Sequence, residues 1–553
     1  VTVPAAPDAS YDLVIIGGGI VGAGIARDAA LRGLSVAIVD KADWGAGTSS
    51  KSSKLVHGGL RYLEHGEIRL VFESVSERRV QTRVAPHLVR PLEFVLPIYK
   101  DNKPGLEVMN IGLWIYDSLA LFRSPGLHRT LRGRGAALLV EPQLRGDGLR
   151  GVIEYYDCAT DDARLVLENV LDAEALGATC HTYTAAEALV RDTSGRVVGV
   201  TVRDRLDGGA ARTLGCRLAV LAAGAWTDEL IGDLAVPVGR QLLRRTKGVH
   251  IVVPHERLPV RRAVTLISGV DGRVFFAIPW RERTVVGTTD TDFVGTADDV
   301  HADRADVDYL CRSINGYFPA AKLSADDVIA TWAGLRPLIR GGDGEDESEV
   351  SREHEIFVRP EGVLVIAGGK LTTYRRMAKE AVDKGVAWLV DHDDRARFEA
   401  VPRCSTKHRP LPGARELPGD GLEAVMARAG ALTQQHGLPT ATAEHLAGVY
   451  GVRAGAIAEL SRAEPHLRER LATDLPYVWA EIDAAVRLDH ARTLVDVLGR
   501  RVPLLLVDRD QGLGVCEQVA TRLAGLLEWT DTRRAQELAA YRAEVAASRR
   551  FRA

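Results

Sequence analysis

Cysteine is scarce and unpatterned. The six residues, 158, 180, 216, 311, 404 and 516, are scattered, and no two form a Cys-x-x-Cys pair. Neither a zinc site nor a dithiol pair is therefore expected, and no other metal site is indicated. Such a set fits the reduced thiols of a cytoplasmic protein. An excess of charge is also lacking: 71 Lys and Arg face 74 Asp and Glu, a net charge of −3. Nothing in that balance suggests nucleic acid as a partner. The first ten residues have no basic segment followed by an apolar one, so no signal peptide is expected. No run of about 18 apolar residues occurs, which argues against a spanning helix and leaves peripheral attachment, at the inner face of the cell membrane, open. No repeat of fixed period is visible. What remains, 46% hydrophobic and 26% charged residues over a 553-residue chain, is the composition of a globular protein. The length suits about three to four domain-sized units.

The chemistry is concentrated near the N-terminus. Leu13 to Ile16 reads as a short buried strand, and Gly17-Gly18-Gly19-Ile20-Val21-Gly22 follows at once. An alanine-rich helix, Ala23 to Arg32, leads to a second apolar strand, Ser35 to Val39, which ends in Asp40. This is a β-α-β unit of the order and length that binds dinucleotides. Gly17 permits the tight turn, Gly19 lets backbone approach a pyrophosphate beside Ile20, and Gly22 lets the helix lie close to the strand. The helix N-terminus offers free N–H groups and a positive dipole end to the phosphates. Asp40, eighteen residues past Gly22, is placed to accept from an adenosine ribose. That acid does not by itself decide between NAD and FAD.

The next stretch decides it. Residues 48 to 62, TSSKSSKLVHGGLRY, form a long hydroxyl-rich loop where a nicotinamide fold would continue with a helix and a parallel strand. Hydroxyls of Thr48, Ser49, Ser50, Ser52 and Ser53 suit the phosphates and ribityl chain of FAD, with Leu55 and His57 close behind. Gly58 and Gly59 would let backbone approach the isoalloxazine. This loop resembles that of the FAD-dependent glycerol-3-phosphate dehydrogenases, within the glucose-oxidase/D-amino-acid-oxidase group of flavoproteins. Further matching pieces are TKGVHIVVP (246–254), GTTDTD (287–292), GLRPL (334–338) and GGKLTTY (368–374), with 477–501 near the end. The resemblance covers nearly the whole chain apart from the first ten residues and a Pro/Gly-rich linker.

The organisation expected is α/β: a discontinuous Rossmann-like FAD-binding domain (11–90, 151–235 and 346–400) with an inserted antiparallel-sheet substrate domain (91–150 and 236–345). A linker (401–420) and an all-helical C-terminal domain (421–553) complete it. The apolar strand 217–221 ends in Ala222-Ala223-Gly224, and 363–367 runs into Gly368-Gly369-Lys370-Leu371-Thr372, two further turns able to meet a cofactor. Residues 64 to 86 read as an amphipathic helix through Ile68, Val71, Phe72, Val75, Val80 and Val84. Residues 106 to 122 read as a helix buried between domains, with a surface helix dipping into a bilayer as the alternative. The C-terminal stretch 532–553, ending Arg549-Arg550-Phe551-Arg552, is a second place where lipid could be met.

Mapped onto the matching motifs, the family's active-site roles fall on Arg61, Tyr62, His250, Arg336, Arg352 and Lys370. Several cations around one pocket suit a phosphate dianion, since Arg forks match phosphate oxygens and Lys supplies a point charge. His250 is the candidate proton acceptor. Arg336 is placed with it in the catalytic set. The resemblance implies oxidation of sn-glycerol 3-phosphate with FAD and a quinone as electron acceptor. It also implies peripheral membrane association and leaves a homodimer open. With a single nucleotide motif in the chain, bound NAD(P) is not expected. An oxidase using oxygen, an enzyme acting on another substrate such as an amino acid, and a non-catalytic flavoprotein sensor are the competing readings.

Overall fold

The computed structural model of the chain describes residues 9–60, 67–102, 104–120, 126–340, 354–417 and 421–552. Its first sheet is organised around β1 (Ala9–Ile16), which pairs in parallel with β2 (Val36–Val39) on one side and Arg212–Leu221 on the other. Thr179–His181 extends the parallel order beyond β2, and Val363–Gly368 extends it beyond Arg212–Leu221. Antiparallel strands close the sheet: His354–Arg359 beside Val363–Gly368, and the hairpin Thr184–Arg191/Val197–Asp204 against Arg212–Leu221. Three separated stretches of chain thus make one sheet, the discontinuous arrangement expected. The helix after the glycine turn, α1 (Ile20–Leu31), begins three residues earlier than its alanines suggest. It is mostly apolar because it is buried between this sheet and the helices Asp162–Ala175 and Tyr374–His392, and its two buried charges are paired, Arg27 with Asp172 and Asp28 with Arg32.

The second sheet is mainly antiparallel and has ten strands among the described residues. At its centre Leu243–Pro254 pairs with Ala330–Ile339 and with Arg283–Gly287. The register sets Thr246 opposite Arg336, Gly248 opposite Gly334 and His250 opposite Trp332. Alternate residues of a strand share a face, so these three pairs present one continuous surface. Residues 151 to 160, expected with the nucleotide domain, run in this second sheet instead. Strand Leu149–Thr160 pairs along its length with Val89–Tyr99, and the chain crosses over only at Asp161.

Two helices of the second domain differ from their sequence pattern. Ile68–Val84 is a helix, but it buries Ser74, Glu77, Arg78 and Gln81 and leaves Ile68 and Phe72 outside. Its polar side has partners: Glu77 accepts from Arg375 at 2.8 Å, Arg78 donates to Tyr156 O at 2.9 Å, and Gln81 donates to Thr372 O at 2.6 Å. Leu106–Leu119, expected to be buried between domains, buries only Leu113, Tyr116 and Asp117. Val108, Ile111, Trp114 and Ile115 are 46–60% exposed. Among the described residues no helix is long and apolar enough to cross a membrane.

The region from Gly421 onward is helical, with one isolated bridge between Arg470 and Val478. The Pro/Gly-rich stretch before it is pinned rather than loose. Leu411 N–H donates to Val84 O at 2.8 Å, Arg27 donates to Arg409 O at 2.6 Å, and Gly413 N–H donates to Glu168 at 2.7 Å. The C-terminal tip is also an internal anchor. Phe551 packs in the core of the second sheet and Arg552 donates to Val328 O at 2.6 Å.

Candidate functional site

A cavity of about 810 Å³ reaches from the glycine turn of the first sheet to His250 and Arg336 of the second. It is within the size range of ligand pockets. Gly17, Gly19, Ile20, Asp40, Ala223 and Gly224 line it from the first sheet, and Gly369, Lys370, Leu371 and Thr372 from the turn after Val363–Gly368. Thr48, Ser49, Ser52, Ser53, Leu55 and His57 line it from the hydroxyl-rich loop.

The turn is closed to side chains. Gly17 has φ +114°, and a Cβ there would collide with Ala222 O. A Cβ on Gly22 would collide with Gly17 O, so Gly22 serves helix–strand packing and lies off the cavity lining. The N-terminus of α1 carries no acidic residue in its first turn, and Ile20 N–H donates to Ser49 Oγ at 2.9 Å. The Ser49 hydroxyl keeps its own proton for an anion at that helix end. Asp40 accepts from Gly18 N–H at 2.6 Å and Ala42 N–H at 2.8 Å. Burial outweighs these bonds and pushes its carboxyl up to about 6.

The hydroxyl run proves to be a connector as much as a lining. Thr48 donates to Leu335 O at 2.8 Å, Ser52 donates to Asp162 at 2.7 Å, and Ser53 Oγ lies 2.8 Å from His250 Nε2. Ser50 lies off the lining, its carbonyl accepting from Lys54 Nζ at 2.6 Å. Gly58 and Gly59 also lie off it. Gly58 N–H donates to Asp157 at 3.0 Å, and a Cβ there would collide with Tyr116 Oη, so its smallness serves packing beneath the cavity. Gly59 has φ +74°.

At the other end, His250 is 3% exposed and stacks on Trp332 with ring centroids 5.0 Å apart. Its Nδ1 is buried without a hydrogen-bond partner among the described residues. Burial, with the charges of Arg336 and Lys54, holds the imidazole well below its ordinary range, so the ring is neutral. Arg336 donates to Asp290 at 2.9 Å and to Thr288 Oγ1 and Thr289 O, each at 3.0 Å. Gly248 leaves the room this guanidinium occupies, since its Cβ would stand 2.6 Å from Arg336 Nη2. Arg61, Tyr62 and Arg352 lie outside the described residues. Trp332, Thr288 and Asp290 carried no assigned role in the sequence. Thr288 and Asp290 belong to the GTTDTD stretch, which was the signal for them. Trp332 had none, because its contact with His250 comes from cross-strand register.

Comparison with known proteins shows the family. Residues 12–384 match the family described as FAD dependent oxidoreductase, and 404–534 match the C-terminal domain of alpha-glycerophosphate oxidase. The glycerol-3-phosphate dehydrogenase of Mycobacterium leprae is 38% identical over 97% of this chain and 88% of its own. The aerobic glycerol-3-phosphate dehydrogenase of Staphylococcus haemolyticus is 36% identical over 94% and 92%. The crystal structure of glycerol-3-phosphate dehydrogenase from Bacillus halodurans, complexed with FAD, superposes with a TM-score of 0.79 at 30% identity, covering 98% of this chain and 96% of that one. A backbone cradle at a helix N-terminus, with an acid at the end of β2, fits the cofactor of that family, which is FAD. This chain belongs to the FAD-dependent glycerol-3-phosphate dehydrogenase family.

Proposed function

We propose that the chain oxidises sn-glycerol 3-phosphate to dihydroxyacetone phosphate and passes the electrons on to a quinone. The observation carrying this is that one cavity is lined by both the dinucleotide cradle and the set His250, Arg336 and Lys370. Arg336, held by Asp290, Thr288 and Thr289, brings its positive charge to the phosphate, and Lys370 adds a point charge. Arg61, Tyr62 and Arg352 are assigned to the same phosphate and glycerol groups. The glycine turn, Ser49 and Asp40 hold the pyrophosphate and ribose of FAD. When bound, FAD supplies the acceptor for the hydride leaving C2 of the substrate. His250, neutral at pH 7, takes the proton of the C2 hydroxyl at Nε2, where Ser53 Oγ lies 2.8 Å away. Burial depresses His250 most; a phosphate dianion beside Arg336 offsets the smaller share that comes from that cation, so substrate binding strengthens its own base in part. The relatives named as glycerol-3-phosphate dehydrogenases support this reading.

Anaerobic mixing tests it. Glycerol 3-phosphate alone bleaches the flavin of the holoenzyme, and a quinone analogue restores its colour faster than air. No bleaching sinks the substrate assignment. Faster reoxidation by air favours the second reading, a glycerol-3-phosphate oxidase, which the description of the C-terminal family match supports.

A quinone lives in lipid, and the exposed apolar face of Leu106–Leu119 is the surface proposed to meet it. Ile68 and Phe72 add to it from the adjoining helix. The wild-type chain is expected to sediment with liposomes, and the double variant Ile111→Asp/Trp114→Asp to stay in solution. Equal sedimentation of the two removes this face from the proposal.

A further inference from the structure

The loop that follows Asp40 is gripped from two sides. On one side it carries the glycine turn. Asp40 accepts from Gly18 N–H at 2.6 Å, Gly45 N–H donates to Gly18 O at 2.9 Å, and the Trp44 ring occupies the space that a Gly18 Cβ would need. On the other side it is held by the C-terminal helices. Asp43, fully buried, accepts from Arg500 Nε at 2.6 Å and from both terminal nitrogens of Arg501, Nη2 at 2.8 Å. Trp44 Nε1 donates to His490 Nδ1 at 3.1 Å.

Both guanidiniums are themselves aimed. Arg500 also donates to Asp496 at 2.6 Å, and Arg501 donates to Asp489 O at 2.7 and 3.0 Å. The two arginines, neighbours in sequence, reach one carboxylate from the π-helical turn Val497–Arg501. Turns of that kind are rare and concentrate where geometry matters. Burial opposes the charge on Asp43, but Arg501 and Arg500 overcome it and hold the carboxyl below its ordinary range. A contact made only for stability has no need of buried charge, since packed apolar residues of similar volume usually serve as well. What the ion triad supplies is a fixed position for residues 40–45.

We propose that Arg500 and Arg501 are positioning residues for FAD, holding the Asp40–Gly45 loop and through it the glycine turn in the cofactor-binding geometry. Docking of the C-terminal domain and binding of FAD are then one coupled equilibrium. The coupling is reciprocal: FAD tightens the docking of residues 489–501 by the factor by which that docking tightens FAD.

The test titrates the full-length apoprotein with FAD and reads the quenching of flavin fluorescence. Arg501→Ala raises the Kd for FAD roughly 5- to 150-fold, the usual range of such couplings. Arg501→Lys recovers part of the loss, because it keeps the charge without the fork. The double variant Arg501→Ala/Asp43→Ala loses no more than the worse single one. In the wild type, FAD slows amide hydrogen exchange over 489–501, and in Arg501→Ala it does not. A merely structural contact gives another pattern: a lower melting temperature of the apoprotein with an unchanged Kd. That pattern, or FAD-independent exchange over 489–501 in the wild type, overturns the proposal. Should Arg501→Ala fail to fold, Arg500→Lys and Trp44→Phe carry the same comparison. An unchanged Kd in both of those overturns it equally.

Discussion

The two ends of the cavity are made of different materials. The cofactor turn is mostly backbone: N–H groups at the start of α1, the glycine turn, and the carboxylate of Asp40, itself tied to Gly18 and Ala42. The opposite end is mostly side chain, with His250 steadied by Ser53 and Trp332, and Arg336 by Asp290 and Thr288. A backbone site cannot lose one donor without moving the chain around it. A side-chain site loses members singly and responds to pH. The first end therefore fails all at once and the second by degrees.

The strongest way to break this contrast is at Gly22. Its Cβ has no space beside Gly17 O, so Gly22→Ala displaces main chain and should purify almost without flavin. At Gly19 the nearest atom to an added Cβ is Ser49 Oγ, at 3.1 Å. Gly19→Ala should therefore fold normally and hold FAD more weakly. The ratio of flavin to protein absorbance reads both, and full flavin content in Gly22→Ala would falsify the backbone account.

His250→Asn comes next. Loss of a general base costs about 10²- to 10⁴-fold in the reductive step, with substrate affinity nearly kept. Because the imidazole is depressed below 6.5, the acidic limb of the wild-type profile should fall below that pH, and it should vanish in the variant. Stopped-flow flavin reduction across pH decides this, and an unmoved limb assigns the proton to another group.

Arg336→Ala should lower kcat/KM for glycerol 3-phosphate by about 10- to 150-fold, the worth of one charge-assisted hydrogen bond. Arg336→Lys should be only partly rescued. With glycerol as substrate the loss should be much smaller. Equal losses on both substrates would mean that Arg336 serves folding or chemistry rather than phosphate.

The smallest effect tests the titration of Asp40 at the backbone end. Asp40 titrates near 6 in the protein, and its ionised form is the better acceptor for ribose hydroxyls. FAD affinity should be level above pH 6 and fall below it, by at most about tenfold per pH unit. Titrations of apoprotein from pH 5 to 8 should show this slope in the wild type and none in Asp40→Asn.

The same contrast explains what could be read from the sequence. Gly17 to Asp40 was legible because the rules there are rules of backbone: spacing, turn and helix start. The hydroxyl run at 48–53 was legible as a cofactor loop only through family resemblance. Its inward duties, such as Ser52 on Asp162 and Ser53 on His250, depend on partners more than 100 residues away. Ile68–Val84 misled because periodicity shows which residues share a face and not what covers that face. Arg375 and Thr372 cover the polar one. Leu106–Leu119 misled in the opposite sense, its apolar stripe being left bare among the described residues.

One feature of the first sheet bears on how the protein is made. β1 has a local partner in β2, but its other neighbour is Arg212–Leu221, and the strand beyond that is Val363–Gly368. The glycine turn emerges early from the ribosome and then waits for its walls. Synthesis at roughly 5–20 residues per second delivers Thr372 about 18 to 71 s after Gly17. For that interval an apolar half-sheet is exposed with nothing to pair its edge, the condition under which nascent chains aggregate. Yield in a heterologous host should therefore depend more on chaperone supply during translation than on the stability of the finished fold.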